Sequence, residues 1–408
     1  MKTPRNNTVK VDFDKQRRRR QRMHRLRQLG ILLLIVLGVF VALYINDLLI
    51  REDLPSQLGG LMESVGGSGY PMTLPGGVIR DVGKAGESLV ILNDTNLSFY
   101  NQNGKLTANV QKMNDRTVMV GEGERVLTYT MGGHEVLING TSGTIYTREM
   151  PDSVLSAAMG KGGDYAVVTT PKQFVAQVDV YDAKNEWRYT RAFPDNVVAQ
   201  VAISPKGENL AVGHLTTVEG SLETLVVVYS LTADEVKASF SIPDGLLVSL
   251  EYLDERTIAV LTDRQYLLFD DKGERFGEYN LPDSLRIRIF ESDGTSMLLA
   301  CENNTTREQD VILLDGSAVA KGRIDSGGRV LDAVVSSQGI YLLTANGVSR
   351  YNSSLELQEE YPVQSVQRME AVGDRIYLLT KTEIEILGAE VPEAESSEEA
   401  SAEQSSGE

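Results

Sequence analysis

The sequence contains few of the side chains that enzymes use as nucleophiles, general bases or metal ligands. Its histidines are His24, His134 and His214, and Cys301 is its single cysteine. The run HEVLI, residues 134–138, begins like a helical zinc motif, but the second histidine is missing and the flanking residues predict a strand. We therefore predict no catalytic residue, no bound metal and no cofactor. Cys301 is expected to be a buried apolar residue without an intramolecular disulfide.

A group of aspartates follows prolines in segments between apolar runs: Asp152, Asp195, Asp244 and Asp283. Two longer polar loops, 214–221 with Glu219 and 302–309 with Asn303 and Asn304, are expected to project beside them. Proline fixes φ and aspartate bonds to its own backbone, so these segments can be explained as turns alone. The alternative is an acidic ring around the mouth of a channel, which would hold a cation or a basic segment of a partner.

The elements that would position these residues are strands. Residues 70–388 show almost no helical periodicity. They contain many apolar runs of five to seven residues, rich in Val, Ile, Leu, Tyr and Thr, separated by Gly, Asn, Asp and Pro. This pattern predicts an all-β domain.

A repeat is visible in the spacing of the turn prolines, which are Pro75, Pro151, Pro194, Pro243, Pro282 and Pro362. Their intervals of 76, 43, 49, 39 and 80 residues fit a period close to 41, if two turns near Met113 and Asp325 lack the proline. Eight hairpins such as TIAVLTDRQYLLFDDKG at 257–273 recur with this period. Four-stranded units of this length are typical of β-propeller blades.

The last unit, beginning at Val366, ends after its third strand near Leu387. The first segment, Pro71 to Leu74, reads as an outermost strand without a unit of its own. Pairing the two would close the ring and leave no open edge. We predict an eight-bladed propeller, with seven blades as the alternative.

Upstream, the 17 residues Leu29 to Ile45 carry no charge, which is enough for a transmembrane helix. A cleaved signal peptide would have a shorter apolar region and a small-residue cleavage site. The arginines before it are Arg17, Arg18, Arg19, Arg20, Arg22, Arg25 and Arg27. Positive charge flanking a membrane helix stays in the cytoplasm, so the propeller is expected outside the membrane.

Charge divides the chain further. Residues 1–28 carry a net charge of +9 and the remainder −26, so an acidic propeller is a poor partner for nucleic acid. The predicted organisation is a basic cytoplasmic tail (1–28), a transmembrane helix (29–50), a flexible tether (51–69), the propeller (70–388) and a disordered acidic tail (389–408).

Short motifs support the architecture. VAISPKGENLAVG at 201–213 is similar to the strand–turn–strand of WD40-like and TolB-like propellers, and VYDAKNEWRY at 180–189 resembles a quinoprotein-type blade without its turn glycine. The arrangement as a whole resembles uncharacterised membrane-anchored propellers of Gram-positive bacteria. That resemblance implies a compartment and no particular site residue.

The sequence thus predicts a non-enzymatic, membrane-anchored extracytoplasmic propeller that binds or scaffolds an envelope protein. The rival is an extracytoplasmic enzyme, either a metal-dependent hydrolase or lactonase or a quinone-dependent oxidoreductase, with its site in the central channel. Asp81, Glu251 and Asp332 on the predicted innermost strands are the candidates for such a site. A sensor that signals through its short cytoplasmic tail is a third possibility.

Overall fold

The computed structural model of the protein describes residues 69–74, 76–111, 113–233 and 235–388. The predicted basic tail, transmembrane helix and acidic tail lie outside these residues, as does the predicted tether up to its last residue. Within the described part of the chain, no helix has the length and apolar character needed to cross a membrane.

The described residues form eight antiparallel sheets of four strands each. A short first strand, β1 (Met72–Thr73), precedes the repeating units. Blades 1 to 4 are β2 (Ile79–Ala85), β3 (Ser88–Asn93), β4 (Asn96–Tyr100), β5 (Leu106–Gln111); β6 (Thr117–Glu122), β7 (Arg125–Thr130), β8 (Glu135–Gly140), β9 (Gly143–Glu149); β10 (Val154–Met159), β11 (Tyr165–Thr169), β12 (Ala176–Tyr181), β13 (Trp187–Phe193); and β14 (Val197–Ile203), β15 (Asn209–Val218), β16 (Ser221–Ser230), β17 (Glu235–Pro243).

Blades 5 to 7 are β18 (Leu247–Tyr252), β19 (Ile258–Thr262), β20 (Gln265–Phe269), β21 (Arg275–Asn280); β22 (Leu285–Ser292), β23 (Met297–Asn303), β24 (Gln309–Leu314), β25 (Ala320–Asp325); and β26 (Asp332–Ser336), β27 (Gly339–Thr344), β28 (Gly347–Tyr351), β29 (Leu357–Tyr361). Blade 8 consists of β30 (Arg368–Val372), β31 (Arg375–Leu379) and β32 (Glu383–Ile386), and its outermost strand is β1.

The ring is closed by the pairing of its first and last strands. Met72 lies opposite Ile384 and Thr73 opposite Glu383, and the Leu74 amide donates to the Thr382 carbonyl at 2.7 Å. The predicted eight blades and the predicted closure are therefore confirmed, and the seven-bladed alternative is wrong. Closure removes the open edge that blade 8 would otherwise present to solvent.

The core is distributed between the blades. Eight clusters of buried apolar side chains each join one blade to the next, including the cluster between blades 8 and 1 around Leu89, Tyr377 and Ile384. Second strands such as β3, β11 and β19 are buried along their whole length. Because both faces of a blade are covered, these strands are continuous apolar runs without polar alternation.

The turns that join the third and fourth strands of several blades share one design. Asp182 Oδ1 accepts hydrogen bonds from the backbone amides of Lys184 and Glu186, at 3.0 and 2.8 Å. Asp270 and Asn352 accept bonds from amides two and four residues later in the same way. These side chains replace the backbone acceptor of the turn, which explains why Asp or Asn recurs at this position of the repeat.

Strand order gives the propeller two distinct faces. The loops between blades and the loops between second and third strands emerge together on one face, here called the connector face. For example, the Asn304 amide in the loop after β23 donates to the Ser284 carbonyl before β22, at 2.7 Å. The remaining turns form the opposite turn face. The described chain begins there, since the Gly69 amide bonds to the Asn103 carbonyl in the turn between β4 and β5.

Candidate functional site: the central channel and the connector face

The eight innermost strands surround a central channel that contains a cavity of about 830 Å³. Every blade contributes lining residues from its first strand. Five of these strands are interrupted by a register shift, for example between Ile79 and Asp81 in β2 and between Ile287 and Ile289 in β22. Such bulges turn side chains of the first strand toward the channel.

The channel wall has two chemically different parts. Blades 2, 3 and 4 line it mainly with small or apolar residues, such as Gly121, Ala158 and Ala202, and Lys161 in the turn after β10 is their one charged residue in the lining. The other blades contribute charged residues: Asp81, Lys84, Glu251, Arg288, Glu291, Asp332, Arg368 and Glu370. Carboxylates are therefore concentrated in one part of the wall.

Asp332 connects two neighbouring blades. Its Oδ2 accepts a hydrogen bond from the Met369 amide of β30 at 2.7 Å, and its Oδ1 accepts from the Ala333 amide at 3.1 Å. Gln200 of β14 has the same role between blades 4 and 5, because its side chain donates to the Val248 carbonyl and accepts from the Leu250 amide. Both side chains satisfy backbone groups on strand edges that have no neighbouring strand.

Burial dominates the titration of the channel carboxyls. It raises the pKa of Glu370 to about 8, although Lys84 acts in the opposite direction. It raises the pKa of Glu291 to about 7, and the nearby charges of Asp332 and Asp81 add to the increase. At neutral pH the cluster therefore retains protons, because several carboxylates cannot all ionise in one poorly hydrated site.

The pKa values of Asp81 and Asp332 are also raised, mainly by burial. Their hydrogen bonds to backbone amides and the charge of Arg368 limit the increase. Asp81 remains open to the solvent of the channel, although protein surrounds it. Water in a narrow channel solvates an ion less well than bulk water does, which accounts for the raised pKa of this partly solvated carboxyl.

This arrangement can share protons among carboxyl groups and attract positive charge. Within the described ranges, no group of three or more His, Cys, Asp or Glu side chains has a geometry suited to a metal ion. The structure brings the predicted candidates Asp81, Glu251 and Asp332 to the same channel. The sequence prediction missed Glu291 and Glu370. Both lie inside the first strand of a repeat, and a charged residue at that position was the feature of the sequence that could have indicated a channel residue.

The connector-face aspartates lie away from this cavity. Asp195, Asp244 and Asp283 are exposed and Asp152 is half-buried, and none of the four lines the channel cavity. Asp244 has a φ of 57°, a left-handed conformation that aspartate tolerates in turns. The acidic ring therefore stays a prediction.

The two predicted polar loops lie on the connector face but are shorter than predicted, because residues 214–218 belong to β15 and Ser221 to β16, and residues 302–303 belong to β23 and Gln309 to β24. Glu219 lies exposed at the tip of the β15–β16 hairpin, with a φ of 51°. Asn303 caps the loop after β23 by accepting hydrogen bonds from the amides of Thr305 and Thr306. Asn304 is exposed and bonds to the backbone of the loop between blades 5 and 6. Asn303 thus has an evident structural role.

The loop at 302–309 also borders a second cavity of about 900 Å³ between blades 6 and 7. Glu302 accepts hydrogen bonds from Arg288 at 2.9 Å and Arg307 at 2.7 Å. Two further arginines, Arg329 and Arg368, line the same cavity. This part of the connector face therefore mixes both signs of charge.

The remaining residues with reactive side chains are placed for structural roles. Cys301 is fully buried in β23, as predicted, and burial raises the pKa of its thiol to about 12. His214 is buried in β15 beside Phe193, and burial lowers the pKa of its imidazole to about 4. His134 contacts the Met150 carbonyl through Nδ1 at 3.0 Å. His24 lies outside the described residues.

Three solved structures are similar to this chain, and the two with TM-scores of 0.50 or more support the fold described above. The designed protein Ika8 matches with a TM-score of 0.54 at 10% identity, over 77% of this chain and 98% of that chain. The β-propeller domain of Cps50 (Swd1) from Myceliophteria thermophila gives 0.50 at 11% identity, over 77% and 97%. BamB from Moraxella catarrhalis gives 0.47 at 10% identity, over 78% and 99%. The protein is a β-propeller, and the predicted WD40-like architecture is confirmed at the level of the fold.

A family model described as "Family of unknown function (DUF5711)" matches residues 80–387, and the chain belongs to this family. The match begins inside β2 and ends after β32, so it covers nearly all of the propeller. No curated protein matches the sequence.

Proposed function

We propose that this protein is a single-pass, membrane-anchored binding module that presents its propeller outside the cytoplasmic membrane to an envelope protein. The propeller fold is consistent with a binding or scaffolding module. The proposed anchor is the apolar segment Leu29 to Ile45, and the proposed orientation rests on the arginines that precede it.

The observation that carries the proposal is the contrast between the two faces of the ring. The chain enters at the turn face, whereas the β15–β16 hairpin and the loop at 302–309 extend from the connector face. Strands of ten residues make β15 and β16 longer than every other described strand. A long hairpin on the face opposite the chain entry is well placed to contact another protein.

A membrane-impermeant crosslinker applied to intact cells that produce the full-length protein tests this function. We expect a discrete envelope protein to be crosslinked through a connector-face loop and identified by mass spectrometry. Efficient labelling of the propeller without a crosslinked protein would contradict the binding function. Failure to label the propeller, in cells that label a known external protein, would contradict the orientation.

A second candidate is an extracytoplasmic enzyme, which the channel carboxyls favour. Glu370, with a pKa of about 8, could donate a proton and a neighbouring ionised carboxylate could accept one. The purified full-length protein would be analysed for bound metal and screened for hydrolysis of esters, lactones and glycosides. Turnover that is abolished in Glu370→Gln and retained in Glu360→Gln, an exposed carboxylate on β29, would favour the enzyme over the binding module.

A further inference from the structure

Apart from Leu155 and Phe290 on innermost strands, the exposed large apolar side chains of the described residues follow two patterns around the ring. One set lies at the start of the outermost strands, in the first or second position or, for Val319, one residue before the strand, and it recurs on six blades: Leu106, Trp187, Val236, Phe276, Val319 and Leu357. Their regular recurrence makes them part of the repeat. The other set lies on the connector face and does not follow the repeat.

This second set is concentrated on four consecutive blades, 2 to 5. We call it the apolar arc, and it consists of Met131, Val175, Val197, Val218, Leu222 and Leu246. Each side chain keeps between 41% and 51% of its surface exposed. An arrangement of this kind is uncommon unless something covers it, because isolated exposed apolar residues do not usually gather on one part of a surface.

Hydrogen bonds show that the loops of the arc are neighbours. Gly132 and Gly133, after Met131, exchange backbone bonds with Val154 at 2.7 and 2.8 Å, and Thr170 bonds to Ser153. The loop bearing Val175 then bonds to the end of β13 through the Phe193 carbonyl at 3.0 Å.

The chain of contacts continues into blades 4 and 5. Val197 pairs with Leu215 in the sheet, and the Thr224 hydroxyl donates to the Gly245 carbonyl at 2.7 Å. Leu246 exchanges backbone and side-chain bonds with Asp263. The loops and strand ends that carry the apolar arc are therefore held beside one another by hydrogen bonds.

Negative charge surrounds this surface. The loops of the arc contain five carboxylates: Asp152, Asp195, Glu219, Asp244 and Asp263. The strand ends that flank them add Glu135, Glu149 and Glu223, whereas the bases on these loops and on the loop that bonds to Met131 are Arg116, Lys172 and Arg264. No ion pair of the described residues involves any of these carboxylates. Their charge is available to a partner.

The rest of the connector face differs. On the blades outside the arc, Val78 and Leu331 are the exposed large apolar residues found there in the described structure. Arg307, Arg329 and Arg368 lie between blades 6 and 8, beside acids such as Glu302. Most of the exposed apolar residues of the connector face therefore lie on blades 2 to 5, and the arginines elsewhere on this face give it a mixed charge.

We infer that the apolar arc binds a basic amphipathic segment of a partner protein, in which Lys or Arg alternates with aliphatic residues. The aliphatic side chains would cover the arc, and burial of apolar surface would supply affinity. The basic side chains would reach the surrounding carboxylates, which would accelerate association and select against acidic segments. This inference rests on the proposed binding function and names the chemistry of its partner.

The test measures binding of defined peptides to the full-length protein in an uncharged detergent. Three labelled peptides of about 14 residues, which span about 45 Å when extended, alternate Lys with Val, Lys with Ser, and Glu with Val. Fluorescence anisotropy gives the dissociation constants, and hydrogen exchange locates the contact. We expect the Lys–Val peptide to bind at least about tenfold more tightly than either other peptide, with protection of amides at 131–135 and 214–224.

Two variants separate the apolar and charged contributions. Val218→Ser with Leu222→Ser, at the hairpin tip, should weaken binding of the Lys–Val peptide about tenfold. Asp195→Asn with Asp244→Asn should weaken it by a similar factor at low salt and by less at high salt, where charge is screened. Asparagine suits Asp244 because it also tolerates a positive φ. The matched control is Val319→Ser with Leu357→Ser, at the start of two outermost strands, which should bind like the wild type.

Equal affinities for the Lys–Val and Lys–Ser peptides would overturn the inference, as would unchanged binding by both arc variants. The proposed function would survive either result if the cell-surface crosslinker still captured an envelope protein, for example through the loop at 302–309. Crosslinking of an envelope protein that is lost in the double variant Val218→Ser with Leu222→Ser, and retained in the control Val319→Ser with Leu357→Ser, would support both the proposed function and this inference.

Discussion

The carboxylate of Asp332 on blade 7 accepts a hydrogen bond of 2.7 Å from the backbone amide of Met369 on blade 8. This bond joins two innermost strands that are not neighbours in one sheet. The channel edge of an innermost strand has no strand beside it, so its amides need a side chain or water as partner. Asp332 is therefore a structural residue of the channel as well as part of its carboxylate cluster.

Replacing Asp332 by Ala should lower the free energy of unfolding by about 1–3 kcal/mol, because the Met369 and Ala333 amides lose their acceptor. Asp332→Asn should cost less, since its amide oxygen can replace one carboxylate oxygen and the unfavourable buried charge is removed. Urea unfolding followed by circular dichroism would measure both changes. Asp293→Ala, at an exposed turn between β22 and β23, serves as the control for loss of local turn bonds.

If Asp332→Ala were as stable as the wild type, water rather than Asp332 would satisfy these amides. If Asp332→Asn were the less stable variant, ionisation of Asp332 would be required for the contact. The first result would contradict the structural role assigned here, and the second would show that this role requires the charge of the carboxylate.

Glu370 makes the stability of the propeller depend on pH. Its pKa is about 8 in the folded protein and near its ordinary value of 4.5 when unfolded, so the folded state holds an extra proton between these limits. Stability from this group is fully present below pH 4.5 and is lost as the pH rises through 8. Glu370→Gln should therefore stabilise the protein by about 1–3 kcal/mol at pH 8 and change it little at pH 4.5.

The measurement is the unfolding free energy of both proteins at several pH values between 4.5 and 8.5. Glu360→Gln removes an exposed carboxylate from β29 and should leave the slope of stability against pH unchanged. A Glu370→Gln protein that follows the wild-type curve at every pH would show that Lys84 compensates the charge of Glu370 fully.

Sequence reasoning succeeded where the signal repeats. Proline turns near a period of 41 predicted the blades, and the unmatched segment Pro71 to Leu74 predicted the closure. It did not find Glu291 or Glu370 because a charged residue in one isolated strand reads as facing solvent. Only the closed ring determines that this face of the first strand lines a channel. Similarly, the apolar arc combines loops from four blades, and no local pattern marks it.

The closure of the ring depends on the buried side chain of Ile384, which packs with Leu74 and Leu379. Ile384→Ala should destabilise the propeller by about 2–4 kcal/mol, since removing a buried aliphatic side chain leaves a cavity. Amide exchange of β1 should increase together with the loss of stability. Thermal unfolding and hydrogen exchange of the full-length protein would measure the two effects.

Val319→Ala is the control for this substitution, because Val319 is 56% exposed and its truncation should change stability by less than about 0.5 kcal/mol. Faster exchange in β1 with unchanged global stability would mean that the ring opens locally without weakening the other blades. Unchanged exchange and stability would contradict closure through this contact.

His214 should make the protein sensitive to acid. Its imidazole is buried beside Phe193, and burial lowers its pKa to about 4, whereas the ordinary value is 6.5. The unfolded chain therefore binds a proton that the folded protein excludes between these values. The contribution of His214 to stability is fully present above pH 6.5 and is lost as the pH falls toward 4.

The variant His214→Leu removes this titration and keeps an apolar side chain in the core, whereas His134→Gln removes an exposed histidine. Relative to the wild type, His214→Leu should gain about 1–2 kcal/mol of stability between pH 7 and pH 5, and His134→Gln should gain almost none. The channel carboxyls have the opposite effect of pH on stability. Their contribution cancels when the unfolding free energy of each variant is compared with that of the wild type at the same pH. If His214→Leu lost as much stability in acid as the wild type does, groups other than this imidazole would be responsible for the acid sensitivity.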